Sequence, residues 1–281
     1  MNGILLVDKP LDITSFKVCD LIKKKFNLKK IGHSGTLDPS ASGLLVIGLN
    51  ESTRFLRFLQ KGGKTYRFSI RWGLLTDSWD LEGKVIEEKD CRPSHEDIAD
   101  ACSSFKGTMK LPVPYFSSKK VKGRRLYEYA RKSDYRDFEK EMLIESLRYD
   151  ASSGMFEIDC GEGTYVRSVA LVLGRMLSCP ATLSTLVRLK NNGFLLEDAV
   201  PLNKILLLNE LNDIISDIKT ALSHLEAFEI TAADYQALMS GAPMNLNLPS
   251  PEKPIRLFFK GRNVAVFDGS GEKKTIIIPG T

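Results

Sequence analysis

"KTYRFSIRWG", residues 64–73, alternates without a break: Tyr66, Phe68, Ile70 and Trp72 fall on one side, Thr65, Arg67, Ser69 and Arg71 on the other. Successive side chains of an extended chain point to opposite faces, so this pattern predicts a strand with an apolar face and a polar one. Working outward, "GILLV" (3–7) and "LLVIGL" (44–49) have the length and composition of buried strands. "EMLIESLRY" (141–149) and "MFEIDC" (155–160) predict two more around a Ser-Ser-Gly turn. Helical spacing interrupts them. "TSFKVCDLIKKKF" (14–26) offers Thr14 and Ser15 as caps and Val18, Leu21, Ile22 and Phe26 as an apolar stripe. "SHEDIADACSSF" (94–105) opens with a capping-box-like Ser94 and Asp97, and "GEGTYVRSVALVLGRML" (161–177) runs through a glycine turn into a helix. Irregular alternation with short turns predicts an α+β fold: a mixed, mainly antiparallel central sheet flanked by helices.

Residues 204–224 read as helical and lead to a shorter module. From about residue 226, "FEITAADYQALMSGAPM", a connection with Pro249, Pro251 and Pro254, "IRLFFKGRNVAVFDG" and "KKTIIIPG" predict one helix and a small β-rich unit. The expected division is therefore 1–225 and 226–281.

A chain of 281 residues with 43% hydrophobic composition and a net charge of +5 is that of a globular protein. No apolar run approaches the ~20 residues of a membrane span, and "MNGILLVDKP" has no basic leader. Five scattered cysteines (Cys19, Cys91, Cys102, Cys160, Cys179) form no CxxC pair, which argues against a disulfide framework or zinc site and for the cytoplasm. Charge is unevenly spread. Between Lys119 and Arg136 stand eight basic residues and two acids, net +6, with Tyr127, Tyr129 and Tyr135 among them. Cations interleaved with aromatics suit RNA, whose phosphates they neutralise and whose bases the rings stack on; a solvated helix face gives the same run.

Walker A, GxGxxG, HExxH and GxSxG motifs are missing, and the three histidines lie far apart. "GHSGTLDPSASG" (32–43) is the exception to an otherwise plain inventory: from Ile31 to Asn50, Asp38 is the only fully charged side chain. Small neighbours let a ligand approach that carboxylate, making it a candidate nucleophile or base; in isolation an Asp-Pro turn, with Asp38 bonding its own loop backbone, is the better explanation.

"DKPLDITS" (8–15), "GHSGTLDPSASGLL" (32–45), "KTYRFSIRWG", "VPYFSSKKVKGRRLYEYAR" (113–131) and "GTYVRSVA" (163–170) occur in this order. Together they closely resemble the TruB-type tRNA pseudouridine synthases over about residues 3–200, and the tail resembles the PUA domain that often ends them. The resemblance implies the pseudouridine synthase fold, a uridine in the tRNA T-loop as substrate, and no cofactor or metal. It places the nucleophile on Asp38, the active-site tyrosine on Tyr66 and the arginine on Arg167. His33 falls on the histidine that holds the T-loop open once the uridine is flipped out. Tyr165 and Leu186 fall on the uridine pocket, and Lys9, with Pro10, on the segment beside it. The basic insertion, about 108–138 with Lys119, Lys120, Lys122, Arg124 and Arg125, falls on the RNA grip. The implied partner is the T-stem-loop of tRNA, with no membrane and no obligate protein partner. A tRNA-folding chaperone, in which loop opening is the main act, is the rival reading.

The residue types fit the chemistry. Conversion of uridine to pseudouridine breaks C1′–N1 and forms C1′–C5 with no net redox change. An arginine in ion-pair reach holds an Asp ionised, typically lowering its pKa by ~1–3 units. A tyrosine ring stacks on a base with a gain of ~1–3 kcal/mol. Attack at C6, attack at C1′ and abstraction at C2′ to a glycal all use the same carboxylate. Two departures stand out: Asp12 where the family has Gly, at a turn that Asp tolerates, and Trp79 in "TDSWDLEG", where it has a smaller residue.

Overall fold

The computed structural model describes residues 1–59, 62–115, 120–121, 124–125, 138–242, 246, 248, 252–269 and 274–278. In chain order its first half holds β1 (Gly3–Lys9), α1 (Ser15–Lys25), β2 (Ile31–Ser34), β3 (Ser42–Leu49) and a 3₁₀ helix, Asn50–Phe58. There follow β4 (Lys64–Trp72), β5 (Leu74–Thr76), β6 (Val85–Glu88), α2 (His95–Ser103), β7 (Gly107–Pro112), β8 (Lys120–Val121) and β9 (Arg124–Arg125). Next come β10 (Glu139–Asp150), β11 (Met155–Cys160), α3 (Val166–Met176), β12 (Ala181–Asn191), β13 (Phe194–Leu195), β14 (Val200–Pro201) and α4 (Leu202–Leu207). The chain ends with β15 (Ile215–Ser216), α5 (Ile218–Ala221), β16 (Glu226–Glu229), α6 (Ala232–Ser240), β17 (Ile255–Phe259), β18 (Arg262–Asp268) and β19 (Lys274–Ile277).

Two compact units divide the chain. The first holds residues 1–38, 45–61 and 198–281, the second 39–44 and 62–197. In the second, β12, β4, β11, β10 and β7 are hydrogen-bonded neighbours in that order, each pair antiparallel, and the first residues of β3 run parallel to β12. β4 keeps the predicted alternation, with Tyr66 and Phe68 buried and Arg67 and Arg71 exposed. Phe68 stacks on Phe156 of β11, ring centres 5.0 Å apart. Here the mixed, mainly antiparallel sheet meets the expectation.

In the first unit α1 is capped by Thr14, whose hydroxyl accepts the Lys17 amide, and packs Val18, Cys19 and Ile22 with Leu5, Val7, Leu45 and Ile47. Strands β16, β17, β18 and β19 form a sheet in that order, with a core of Ile230, Leu238, Ile255, Leu257, Val264 and Ala265. The continuous helical reading of 204–224 is corrected. Helical residues there are broken into α4, a 3₁₀ turn (Asn212–Ile214) and α5; Leu208 is extended, and Ile215 pairs with Leu5 of β1. Asn209, Asn212 and Asp213 compete with helical backbone bonds and favour the turn that lets Ile215 reach β1.

The cysteine reading is corrected too. Cys91, between β6 and α2, and Cys179, between α3 and β12, form a disulfide across 88 residues of sequence, a pairing made by the fold and invisible to any spacing rule. Cys19, Cys102 and Cys160 are buried free thiols, each pushed up to about 12 by burial and so poor nucleophiles. No helix among the described residues is long and apolar enough to cross a membrane.

Candidate active site

Asp38 is the last residue of its stretch of the first unit, and it is half-buried on a fixed backbone. The Ser15 hydroxyl, at the first turn of α1, donates to the Leu37 carbonyl at 3.1 Å and accepts the Leu37 amide at 2.9 Å. Ser15 and the Leu37 side chain are both buried. One hydroxyl thus holds both polar groups of the residue before Asp38, which limits where the carboxylate can point. Sequence reading offered Ser15 only as a helix cap.

Two other predicted residues share this unit. Lys9, at the end of β1, is fully buried, and its ammonium donates to the carbonyls of Pro10 and Ile13, both at 2.8 Å. That ties the "KPLDI" turn, in which Asp12 takes the left-handed conformation (φ 61°) expected of it. His33 lies on β2, half-buried, opposite Ile47 of β3.

In the second unit Tyr66, 7% exposed, lies on β4 opposite Ile158 of β11 and Arg188 of β12. Leu186 stands opposite Phe68, so Tyr66, Phe68, Leu186 and Arg188 share one face of the sheet. Tyr165 stands at the N-cap of α3, and Arg167 is the second residue of the helix, 4% exposed. Its guanidinium Nη1 donates to the Ser78 carbonyl at 3.1 Å and lies 3.3 Å from the Asp80 carboxylate.

The turn that receives Arg167 is itself fixed. Ser78 Oγ donates to Asp80 Oδ1 at 2.5 Å, and Thr76 Oγ1 donates to the Asp80 carbonyl at 2.6 Å. The Thr76 amide donates to Thr182 Oγ1 of β12 at 3.2 Å, and the Leu183 amide to the Trp79 carbonyl at 3.0 Å. Trp79 is left-handed there (φ 63°) and 9% exposed; nothing in the structure explains a tryptophan at that corner. Asp80 and Ser78 were missed because "TDSWDLEG" reads as an ordinary surface turn; the signal is the buried carboxylate.

Gly43, at the start of β3, lies against Arg188 of β12. Its φ is +100°, and a Cβ there would lie 2.5 Å from the Arg188 carbonyl oxygen. Only glycine lets the strand pass so closely. Arg188, fully buried, donates Nε to the Leu44 carbonyl at 2.7 Å.

Lys120, Arg124 and Arg125 belong to the two-stranded β8–β9 hairpin; Lys119 and Lys122 lie outside the described residues, as do Tyr127, Tyr129 and Tyr135. No group of three or more His, Cys, Asp or Glu side chains placed to hold a metal occurs among the described residues.

Residues 23–166 match the model of the TruB family pseudouridylate synthase N-terminal domain. The tRNA pseudouridine synthase B of Clostridium tetani is 38% identical over 248 residues, 86% of this chain and 85% of that protein. The chain belongs to the TruB family. The same-named proteins of Oenococcus oeni (33% identical, 99% and 98% covered) and Agrobacterium fabrum (37%, 97% and 92%) extend the likeness to the whole chain. Among solved structures, the crystal structure of a Cbf5–Nop10–Gar1 complex superposes with a TM-score of 0.71 at 23% identity, covering 98% of this chain and 82% of the matched one, which supports the fold. The TruB match includes His33, Asp38, Tyr66 and Tyr165; Arg167 and Leu186 follow it. As a TruB-family member the protein is an isomerase.

Proposed function

We propose that this protein isomerises a uridine of the tRNA T-loop to pseudouridine, with Asp38 as the reacting carboxylate and Arg167 and Tyr66 as its working partners. The observation that carries the reading is the buried Arg167, oriented by Asp80 and the Ser78 carbonyl. A guanidinium held in one pose by its own ion pair is a fixed positive charge, and such a charge favours the ionised form of a carboxylate that reacts at a ribose. Tyr66 offers its ring to the uracil beside the apolar Leu186, with Tyr165 at the start of α3 on the same substrate. His33 fills the space that the flipped nucleotide leaves, against an unstacking cost of a few kcal/mol. Lys9 acts indirectly, by fixing the turn it is bonded into.

The reaction balances within the substrate. C1′–N1 breaks, C1′–C5 forms, the C5 proton leaves, and N1 of the old linkage gains a proton. The carboxylate serves this by attack at C6, attack at C1′ or proton removal at C2′. Residues 108–138 and the C-terminal sheet of 226–281 are the RNA-holding parts, and the cytoplasm, where tRNA is modified, is the working compartment.

The test is incubation of unmodified tRNA with the protein, followed by mapping of pseudouridine along the strand. Conversion at one T-loop position is expected, with Asp38→Asn inactive and its tRNA affinity within a few fold of the parent. Turnover retained by Asp38→Asn defeats the reading.

A further inference from the structure

The end of the sheet that carries Tyr66 also carries an ammonium group that no described residue binds. Lys64 is the first residue of β4, two positions before Tyr66 and on the same face. It is half-buried, yet among the described residues its Nζ makes neither a hydrogen bond nor an ion pair. Burial of a charge without a partner is unfavourable. Two carboxylates stand in its neighbourhood: Glu162 acts on it electrostatically, and Glu145 lies beside Gly63, 3.6 Å from where a Cβ on that glycine would stand. Neither forms a salt bridge with it.

The backbone around Lys64 is glycine-rich on both sides. β4 and β11 are antiparallel with Lys64 opposite Cys160, which brings Gly62 and Gly63 beside the Gly161–Gly163 turn. Across this turn lies a second ammonium. Lys140 Nζ donates to the Gly163 carbonyl at 3.1 Å, and a Cβ on Gly163, whose φ is +76°, would collide with that nitrogen. The contact fixes Lys140 and uses one of its three donors. Arg188, opposite Tyr66 on β12, adds a third positive charge. The Lys64 ammonium is held below the ordinary lysine range first by burial and then by Arg188, with Lys140 acting the same way and Glu162 against. A rim with two ammonium groups that have donors to spare, backed by the charge of the buried Arg188, suits an anion with several acceptor oxygens.

We infer that Lys64, assisted by Lys140, binds a backbone phosphodiester of the RNA next to the nucleotide that Tyr66 stacks on. This rests on the proposed function for the identity of the RNA, and it makes Lys64 a substrate-holding residue distinct from the basic segment 119–136.

The test compares Lys64→Met and Lys64→Arg with the parent protein, using a T-stem-loop RNA hairpin and equilibrium binding across a salt series. Lys64→Met is expected to bind ~3–10-fold more weakly at 0.1 M salt and to flatten the log K against log salt plot by about 0.7–0.9, the value of one released counterion. Lys64→Arg keeps the slope. Thermal unfolding of Lys64→Met at an unchanged or higher temperature shows that the loss is not one of folding. A scan with single neutral methylphosphonate linkages then locates the contact: one linkage weakens binding by the parent and leaves Lys64→Met unaffected. An unchanged slope in Lys64→Met, or losses that add at every linkage, overturns the inference. Pseudouridine formation by the parent on the same hairpin is measured separately. Its absence defeats the proposed reaction, while the salt slopes still decide Lys64.

Discussion

Two anchors of Arg167 differ in kind, and the difference predicts how it fails. The Ser78 carbonyl fixes one direction of the guanidinium by a hydrogen bond; Asp80 supplies the charge that keeps a nearly inaccessible cation where it is. Buried ion pairs contribute little net stability, but loss of one partner leaves a charge in low dielectric. Asp80→Asn keeps the shape of the turn and removes that charge. Stability is expected to fall by on the order of 3 kcal/mol in denaturant unfolding. Single-turnover conversion should slow at least ~10-fold, about 1.4 kcal/mol of barrier, because the guanidinium is no longer held in one pose. RNA affinity, set by phosphate contacts elsewhere, should stay within a few fold. An Asn variant that turns over at the parental rate would remove Arg167's orientation from the mechanism.

Among the elements, the outer face of the β4–β11–β10 ladder holds a second carboxylate whose surroundings set a pH dependence. Asp159 accepts from Thr65 at 2.6 Å, Ser146 at 2.8 Å and Arg148 at 3.0 Å. Burial alone would raise its pKa, but these donors more than offset that and hold it below the ordinary carboxylate range. A carboxyl lowered by folding contributes stability above its unfolded pKa, near ~3.9, and loses it as pH falls through the folded value. Asp159→Asn is therefore expected to cost about 1 kcal/mol at pH 7, reduced from the buried case by its partial exposure, and the gap to the parent should close below about pH 4. Unfolding temperatures at the two pH values check this. The same ladder shows what the sequence could tell. β4 was legible because one side of it is solvated, which stamps period two on the residues. Residues 204–224 were not, because their leucines and isoleucines fit helical spacing while Ile215 is claimed by β1. Asp38, Tyr66 and Arg167 were legible as motif positions. Asp80, Ser15 and the Cys91–Cys179 bridge were not, because each acquires its role from a partner 22 to 88 residues away.

For the molecule as a whole, charge is the quantity that governs its meeting with RNA, and it is concentrated. Segment 119–136 carries +6 of a chain total of +5, so the remaining residues together are at −1. A protein so balanced has no general electrostatic attraction to a polyanion; the attraction must come from that segment and from local cations such as Lys64. Two kinds of contact then separate by their salt dependence. Reversal of Lys119, Lys120 and Lys122 to Glu converts three attractions into repulsions and should weaken tRNA binding by at least ~10-fold at 0.1 M salt, with a flattening of the salt slope by two to three times the ~0.7–0.9 expected of one phosphate contact. Thermal stability should change little, since these charges lie in a like-signed run whose mutual repulsion the reversal relieves. The reaction at saturating RNA should persist, because the segment brings the substrate in and Asp38 acts on it. Binding isotherms over a salt series, paired with single-turnover conversion at saturation, separate the two; an unchanged slope in the triple variant would move the RNA grip elsewhere on the protein.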